Sequence, residues 1–316
     1  MIQNYLHLGR YSMNVDTAKY KWLKTWKHSE YLSPDYYHKL LRPYVFSGKD
    51  DLTLFRDYLS RLQYIPKNAI EFGCGTGRGT NVFLNRFKDS KLNILDLSTQ
   101  MLNFTSQKFN VHNTICSDTI DFMKKTSEKF DFAFSLWSFS HSIHQQLEKF
   151  TDLDLGKQYI ADVLIKFITE NLSDNGHMFI IHFDSQSEEQ TILMKQWAKK
   201  SKVYDRFEQK SLSLECIQSA LESLKDNNII SYQLRHQKGE KIKYNNEDNA
   251  LETFVNFHLE GVFNSEKDNV LSQIIQELRT EFKKYTNEKD QTISIGTGCY
   301  LIEISKNDTS RIKTKE

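Results

Sequence analysis

Three glycines at every second position, Gly73, Gly75 and Gly77, constrain the fold of this chain more than any other feature. They follow a short apolar run that ends in Glu71, and a helical pattern of apolar residues begins at Val82. This order predicts a strand, a tight turn and a helix. Because glycine has no Cβ, the turn can adopt positive φ and bring its backbone amides close to a ligand.

A second apolar run ends in an acid, Asp96, and a carboxylate at the end of a strand can accept hydrogen bonds from both hydroxyls of a ribose. The glycine spacing departs from the dinucleotide fingerprint, because the sixth position from Gly73 is Arg78 and the sixth from Gly75 is Thr80. No lysine of the Walker type follows a suitable glycine run, which argues against a P-loop. The turn and the acid therefore indicate a nucleotide-type site. The glycine spacing argues against a ligand that contains a pyrophosphate.

The acid and the Gly-x-Gly-x-Gly run together resemble the first motif of the class I S-adenosylmethionine-dependent methyltransferase family, and the likeness extends from Ile65 to Asp184. The resemblance implies S-adenosylmethionine as cofactor and S-adenosylhomocysteine as product. It also implies that Asp96 binds the ribose, that Met101 packs on the adenine and that Asp118 lies beside the adenine amino group. The cofactor-binding residues predicted in this way are Glu71, Gly73, Cys74, Gly75, Gly77, Asp96, Leu97, Met101, Asp118, Thr119 and Ser135.

Strands and helices alternate along the rest of this region. Predicted strands cover 113–118, 130–137 and 177–183, and a helical segment covers 157–172 before Asp174-Asn175-Gly176. Such alternation requires a parallel sheet with helices on both faces. The expected fold class is α/β, a seven-stranded Rossmann-like methyltransferase sheet with N-terminal helices and a helical insert before the last strand.

The insert is the most distinctive addition to the predicted core. Residues 229–235 resemble a sixth strand and 298–304 a seventh, and the long segment between them carries helical patterns around Leu251 to Val262 and from Gln273 to Tyr285. These helices would cover the carboxyl end of the sheet, where open α/β folds bind ligands. The expected divisions are an N-terminal helical cover at 1–64, the core at 65–237, a helical substrate cap at 238–297, the last strand at 298–305 and a disordered tail at 306–316.

Methyl transfer requires few catalytic side chains, because the methyl donor is already activated and positioning of the acceptor supplies most of the rate enhancement. A base is needed only where the acceptor is a hydroxyl or a protonated amine. The base candidates are His141, which is preferred, and His144 in a predicted loop after the fourth strand, and His182 at the end of the fifth. Residues expected to contact the substrate are Trp137, Phe254, Phe257 and His258, although His258 on an apolar helix face also fits a core histidine. No carboxylate cluster accompanies the histidines, so no metal is expected.

The composition of the chain limits which methyl acceptors and which binding partners are expected. With 42 basic and 41 acidic side chains the net charge is +1, so no overall field attracts nucleic acid or a membrane surface. The four cysteines form no CxxC pair, and neither a signal peptide nor a membrane-length span is evident, so the chain is expected to be soluble and cytoplasmic. The three prolines, Pro34, Pro43 and Pro66, exclude an Asn-Pro-Pro-Tyr loop after the fourth strand.

These observations favour a small-molecule acceptor and leave N, O and C open as the methylated atom. Two alternatives remain at this point. One is methylation of a macromolecule such as tRNA or protein, served by a basic face such as Lys195, Lys199, Lys200 and Lys202. The other is a non-catalytic module that keeps the cofactor fold, because a fold does not fix a function. A third alternative is a related enzyme, an aminopropyltransferase that uses decarboxylated S-adenosylmethionine.

Overall fold

The computed structural model describes residue 20 and residues 34–35, 44–205, 209–259 and 268–308. A two-stranded hairpin, β1 (Val45–Phe46) and β2 (Lys49–Asp50), precedes the central sheet. The sheet contains β3 (Asn68–Phe72), β4 (Lys91–Asp96), β5 (Asn113–Cys116), β6 (Phe130–Leu136), β7 (Leu172–Phe183), β8 (Ile230–Tyr244) and β9 (Ile293–Lys306). The strand order is β5-β4-β3-β6-β7-β9-β8. In this sheet β9 pairs in antiparallel fashion with both β7 and β8, and the other neighbouring strands are parallel. The predicted seven-stranded Rossmann-like sheet is confirmed.

Helices fill the connections between the strands. They are α1 (Asp51–Arg61), α2 (Arg78–Arg86), α3 (Thr99–Lys108), α4 (Thr119–Lys125), α5 (Phe139–Leu147), α6 (Leu153–Lys166), α7 (Glu188–Trp197), α8 (Leu212–Asp226), α9 (Glu247–Thr253) and α10 (Asp268–Phe282). π-helical turns continue α6 over Phe167–Asn171 and α9 over Phe254–His258.

The helices lie on both faces of the sheet, as the alternation of elements predicts. Successive residues of a central strand point to opposite faces, so Ala69 packs with α1 and α2 while Ile70 packs with α5, α6 and α8. Both faces are therefore apolar, which is typical of parallel strands that are covered by helices on each side. Burial on both faces fixes the strand register and with it the positions of the strand ends that form the site.

The last two strands are longer than the sequence indicates. Lys241 to Tyr244 pair with Ile293 to Gly296, so β8 and β9 continue well past the predicted boundaries at 238 and 297. The polar run 238–243 hides this strand, because it carries only Ile242 as an apolar signal. The helical part of the insert is thus Glu247 to Tyr285, and its core includes Leu251, Phe254, Ile275 and Leu278 packed with Ile293 and Ile295.

The predicted ends of the chain are described only in part. Residues 44–64 of the predicted helical cover form the β1–β2 hairpin and α1, while the rest of that cover, apart from residues 20 and 34–35, lies outside the described residues. Lys306 begins the predicted disordered tail, yet it is the buried last residue of β9, and 309–316 lie outside the described residues. Among the helices described, none combines the length and the apolar character needed to cross a bilayer.

Candidate active site

The glycine turn after β3 is fastened to the end of β4 by three hydrogen bonds. The amides of Gly73 and Cys74 donate to the Leu95 carbonyl oxygen over 2.8 and 3.0 Å. The Gly75 amide donates to Asp96 Oδ2 over 2.9 Å. The turn and the acid that the sequence pairs are therefore in direct contact.

The three glycines have left-handed φ values of 72°, 50° and 81°, but different surroundings. A Cβ on Gly73 would collide with the Ser138 side chain, and one on Gly77 would lie 2.6 Å from the Phe109 ring. A Cβ on Gly75 would have no protein atom within 4 Å. Gly75 therefore borders open space, and its missing side chain leaves room for a ligand rather than for a neighbouring residue.

Asp96 is held at the mouth of this space by the backbone. Its Oδ1 accepts from the Ser98 amide over 2.9 Å, and burial raises the pKa of its carboxyl. Each carboxylate oxygen has one further lone-pair site for an outside donor such as a hydroxyl. Leu97, 47% exposed, and the buried Met101 supply apolar surface next to the acid.

A cavity of about 700 Å³ opens from the turn and continues beneath the insert. Small-molecule sites typically enclose about 300 to 1,000 Å³. The cavity brings together much of the predicted site, namely Gly73, Gly75, Asp96, Leu97, Met101, Thr119, Trp137, His141, Phe257 and His258.

Glu71, a predicted cofactor-binding residue, does not line the cavity. It is 2% exposed, and its Oε2 accepts a hydrogen bond from Thr80 Oγ1 over 2.5 Å. Burial raises the pKa of the Glu71 carboxyl to about 8. Its contacts are those of a structural group that joins β3 to α2.

Asp118 also lies outside the cavity wall, although its neighbours Ser117 and Thr119 belong to it. Its Oδ1 accepts from the amides that open α4 and from Gln146 Nε2, and its Oδ2 accepts from Ser142 Oγ over 2.7 Å. These bonds make Asp118 a helix cap that fastens α4 to α5. The contact of Asp118 with an adenine amino group stays a prediction.

The remaining predicted cofactor residues outside the cavity have packing roles. Ser135 Oγ donates to the Phe72 carbonyl oxygen over 2.9 Å. Cys74 is buried, and burial raises the pKa of its thiol. Gly77 packs against Phe109 and begins α2.

Part of the cavity wall is lined by aromatic rings. Trp137 packs against Tyr44 and Phe183 with ring centroids 4.7 and 4.8 Å apart, and Trp197 packs against Tyr204 at 5.0 Å. Trp137 has a φ of 73°, a left-handed conformation that a bulky residue rarely adopts. Strain of this kind persists where surrounding contacts enforce it, and it is common at functional sites.

His141 reaches the cavity from α5, not from the predicted loop. Apolar Ile143 and Leu147 bury one face of this helix, while His141, Gln145 and Glu148 border the cavity from the other. His141 keeps accessible surface and lines the cavity. Desolvation lowers the pKa of the imidazole, which favours the neutral form of the ring.

The other two base candidates do not line the cavity. His144 is 6% exposed and packs edge-on against Tyr204 at 4.8 Å. His182 Nδ1 donates to the Phe183 carbonyl oxygen over 2.7 Å, which leaves Nε2 to accept from Ser213 Oγ at 3.0 Å. Burial lowers the pKa of His182 to about 4, so it is a neutral core histidine with both nitrogens in use.

The insert contributes His258 and Phe257 to the cavity but not Phe254. His258 Nε2 lies 3.6 Å from Oε1 of the buried Glu189, which also accepts from the Tyr44 hydroxyl. Burial raises the pKa of Glu189 to about 7 and lowers that of His258 to about 3. Phe254 is fully buried among Tyr244 and Phe282, so it belongs to the core of the insert.

Several lining residues were not predicted from the sequence. They include Tyr44, Arg78, Phe183, Trp197 and Tyr204. Arg78 and Phe183 carried a usable signal, because one follows the last glycine of the turn and the other ends a predicted strand. Tyr44, Trp197 and Tyr204 come from separate segments that only the tertiary fold brings together.

Comparisons with known proteins agree with the fold. Residues 69–152 match the family model described as a methyltransferase domain. A loganic acid methyltransferase with S-adenosylhomocysteine is 9% identical over 81% of this chain and 92% of its own, with a TM-score of 0.52. A cyclopropane synthase from Mycobacterium tuberculosis is 12% identical, with 90% and 98% coverage and a TM-score of 0.47. A plantazolicin methyltransferase in complex with a triazolic substrate analogue and S-adenosylhomocysteine is 17% identical, with 81% and 83% coverage and a TM-score of 0.40. No curated protein matches the chain.

The matched residues run from β3 to the end of α5 and contain the glycine turn and Asp96. The sheet order places the turn inside the sheet, at the carboxyl end of β3 between β4 and β6. Sequence motif, family match and sheet order therefore agree, and residues 69–152 match a methyltransferase domain.

Proposed function

We propose that this enzyme transfers the methyl group of S-adenosylmethionine to a small-molecule acceptor held against the aromatic rings of the cavity wall. The observation that carries the proposal is the continuity of one cavity from the glycine turn to the rings of Trp137, Phe183 and Phe257. Donor and acceptor can then meet within one cavity.

The residues at the turn fit the cofactor. Asp96 would accept hydrogen bonds from the ribose hydroxyls, and Leu97 and Met101 would provide the apolar surface for the adenine. The open space at Gly75 would admit the chain between ribose and sulfur. When bound, the cofactor supplies a methyl group on a sulfonium, which is already activated for in-line displacement.

The rest of the wall would position the acceptor and exclude water. Rings present large apolar surfaces with few rotatable bonds, so Trp137, Phe183 and Phe257 can hold an acceptor at little entropic cost. His141, neutral in this environment, would take the proton from a hydroxyl or ammonium acceptor. The segment between β8 and β9 acts in this proposal as the substrate cap, since Phe257 and His258 come from it.

The class of acceptor can be tested by fractionation. Purified enzyme is incubated with methyl-labelled S-adenosylmethionine and, separately, the small-molecule, RNA and protein fractions of a cell extract. We expect label in the small-molecule fraction and none from a Gly75→Val control. Transfer to RNA or protein instead would contradict the small-molecule assignment while leaving the methyltransferase assignment intact.

A further inference from the structure

A series of rings runs along the cavity wall, and each ring contacts the next. The series consists of Trp137, Phe183, His141, Trp197 and Tyr204, all of which line the cavity. Successive ring centroids lie 4.8, 5.8, 6.5 and 5.0 Å apart. These five residues form the ring row. Because the faces of tryptophan, phenylalanine and tyrosine rings carry partial negative charge, the row offers a surface that attracts cations.

The charged side chains on the same wall also favour a cation. Glu148 lines the cavity close to one end of the ring row, where burial and then the charge of Glu148 raise the pKa of the Tyr204 hydroxyl. In the described part of the chain no lysine lines the cavity, and the one lining arginine, Arg78, pairs with Asp51 over 2.8 Å. A carboxylate or phosphate on the acceptor would therefore meet on this wall a single cation that is already paired.

A second carboxyl lies directly behind the wall. Glu189 is 1% exposed, accepts a hydrogen bond from the Tyr44 hydroxyl over 3.2 Å and lies 3.6 Å from His258 Nε2. Tyr44 and His258 both line the cavity, and the Tyr44 ring packs on Trp137. Burial lowers the pKa of His258 to about 3, so this histidine is neutral and does not cancel the charge of Glu189. A cation bound in the cavity would stabilise the ionised form of the Glu189 carboxyl.

We propose that the acceptor is an organic amine that binds as its ammonium ion against the ring row and carries no carboxylate or phosphate of its own. The inference rests on the proposed function and narrows the acceptor to one chemical class. His141, in the middle of the row, takes one proton from the ammonium group. The nitrogen lone pair then forms a bond to the methyl carbon, while the carbon–sulfur bond breaks and its electron pair passes to sulfur. The products are an N-methylated amine and S-adenosylhomocysteine, and the proton leaves His141 for solvent.

The charge of the acceptor can be tested before its identity is known. The small-molecule fraction of a cell extract is passed over a cation exchanger at pH 7, which separates a retained pool of cations from an unretained pool of neutral, zwitterionic and anionic compounds. Each pool is incubated with the enzyme and methyl-labelled S-adenosylmethionine, and the products are separated from the donor by chromatography. We expect at least about tenfold more label from the retained pool than from the unretained pool, and none from a Gly75→Val control.

The two ways in which this experiment can fail are distinguishable. Label that comes equally from both pools, or mainly from the unretained pool, overturns the inference and leaves the proposed function intact. Label from neither pool contradicts the proposed function and the inference with it.

Substitutions in the ring row test recognition by binding, without turnover. The acceptor purified from the retained pool is titrated by calorimetry into the complex of the enzyme with S-adenosylhomocysteine. Trp197→Leu removes an aromatic face and should weaken binding about 3- to 30-fold, whereas Trp197→Phe keeps such a face and should weaken it less than about threefold. Glu148→Gln should weaken binding about 2- to 5-fold, the scale for an ion pair open to solvent. Glu222→Gln, at an exposed acid of α8 outside the cavity lining, is the matched control and should bind as the wild type does.

The comparison of leucine with phenylalanine at one position separates cation recognition from apolar packing. Equal losses in Trp197→Leu and Trp197→Phe, or unchanged binding in Trp197→Leu, overturn the inference. Thermal melts show whether each variant is folded at the assay temperature. Where Trp197→Leu is not folded, Phe183→Leu removes another ring of the row with a smaller change in volume, and a loss of the same size is expected from it.

Discussion

Gly75 differs from the glycines on either side in what its missing side chain would meet. At Gly73 and Gly77 the space is filled by Ser138 and Phe109, whereas at Gly75 it is part of the cavity. Identical residues in one motif thus serve packing in two cases and ligand access in the third. The sequence alone gives no reason to distinguish the three glycines.

This difference predicts opposite outcomes for two matched substitutions. Valine at either position must adopt an unfavourable positive φ, at a cost of about 1 to 3 kcal/mol. Gly75→Val should remain folded but lose S-adenosylmethionine binding, because its branches enter the ligand space. Gly77→Val should lower the melting temperature further, since it also overlaps the Phe109 ring. Thermal melts and calorimetry distinguish them, and normal binding by Gly75→Val would place the ligand elsewhere.

At the scale of elements, α5 shows why the catalytic candidates were hard to place from sequence. Its serines and histidines suggested a loop, yet Phe139, Ile143 and Leu147 recur at four-residue intervals and bury one face. His141 therefore faces the cavity while His144, one turn onward, packs against Tyr204. Three positions along a helix are enough to separate a candidate base from a core residue.

The insert likewise contains one phenylalanine that belongs to its core and one that lines the cavity, and mutation can distinguish their roles. Phe254→Ala removes a fully buried ring and should cost about 3 to 5 kcal/mol of stability. Phe257→Ala removes a cavity-lining ring and should raise the KM of the acceptor or lower turnover, while cofactor affinity changes by less than about 0.5 kcal/mol. Urea unfolding and steady-state kinetics on an acceptor from the fractionation experiment provide both readouts. Normal kinetics in Phe257→Ala would count against the cap.

For the whole molecule, the sequence predicts correctly those features whose signal lies in a short run of residues. The glycine turn, Asp96 and the parallel strands are encoded in short runs, and the structure assembles them as predicted. The roles of Asp118 and His182 were not accessible in this way, because their partners Ser142 and Ser213 lie 24 and 31 residues further along the chain. Only the packed fold shows which protein groups these two side chains contact.

The buried acids predict how stability depends on pH. Glu71 has a pKa of about 8 in the folded protein against an ordinary value of 4.5, so the folded state binds this proton more tightly than the unfolded chain. Its contribution is complete below about pH 4.5 and is lost as pH rises towards 8, by about 1.4 kcal/mol per pH unit. Glu189, with a pKa of about 7, acts in the same direction.

Glu71→Gln should remove the larger part of this dependence. Unfolding free energies from urea titrations at pH 5.0, 6.5 and 8.0 would be compared with those of the wild type. We expect the variant to lose less stability than the wild type between the lowest and the highest pH. Parallel curves for the two proteins would show that Glu71 is not the responsible group.

The measurement that tests the central claim most directly is calorimetric binding of S-adenosylmethionine to the wild type and to Asp96→Ala. The wild type should bind one molecule per chain, and the variant should lose about 1.5 to 3 kcal/mol, roughly 10- to 100-fold in Kd, with its ribose contacts. Asp89→Ala, at an exposed acid remote from the cavity lining, should bind as the wild type does. Absence of binding to the wild type, or an unchanged Kd in Asp96→Ala, would contradict the account.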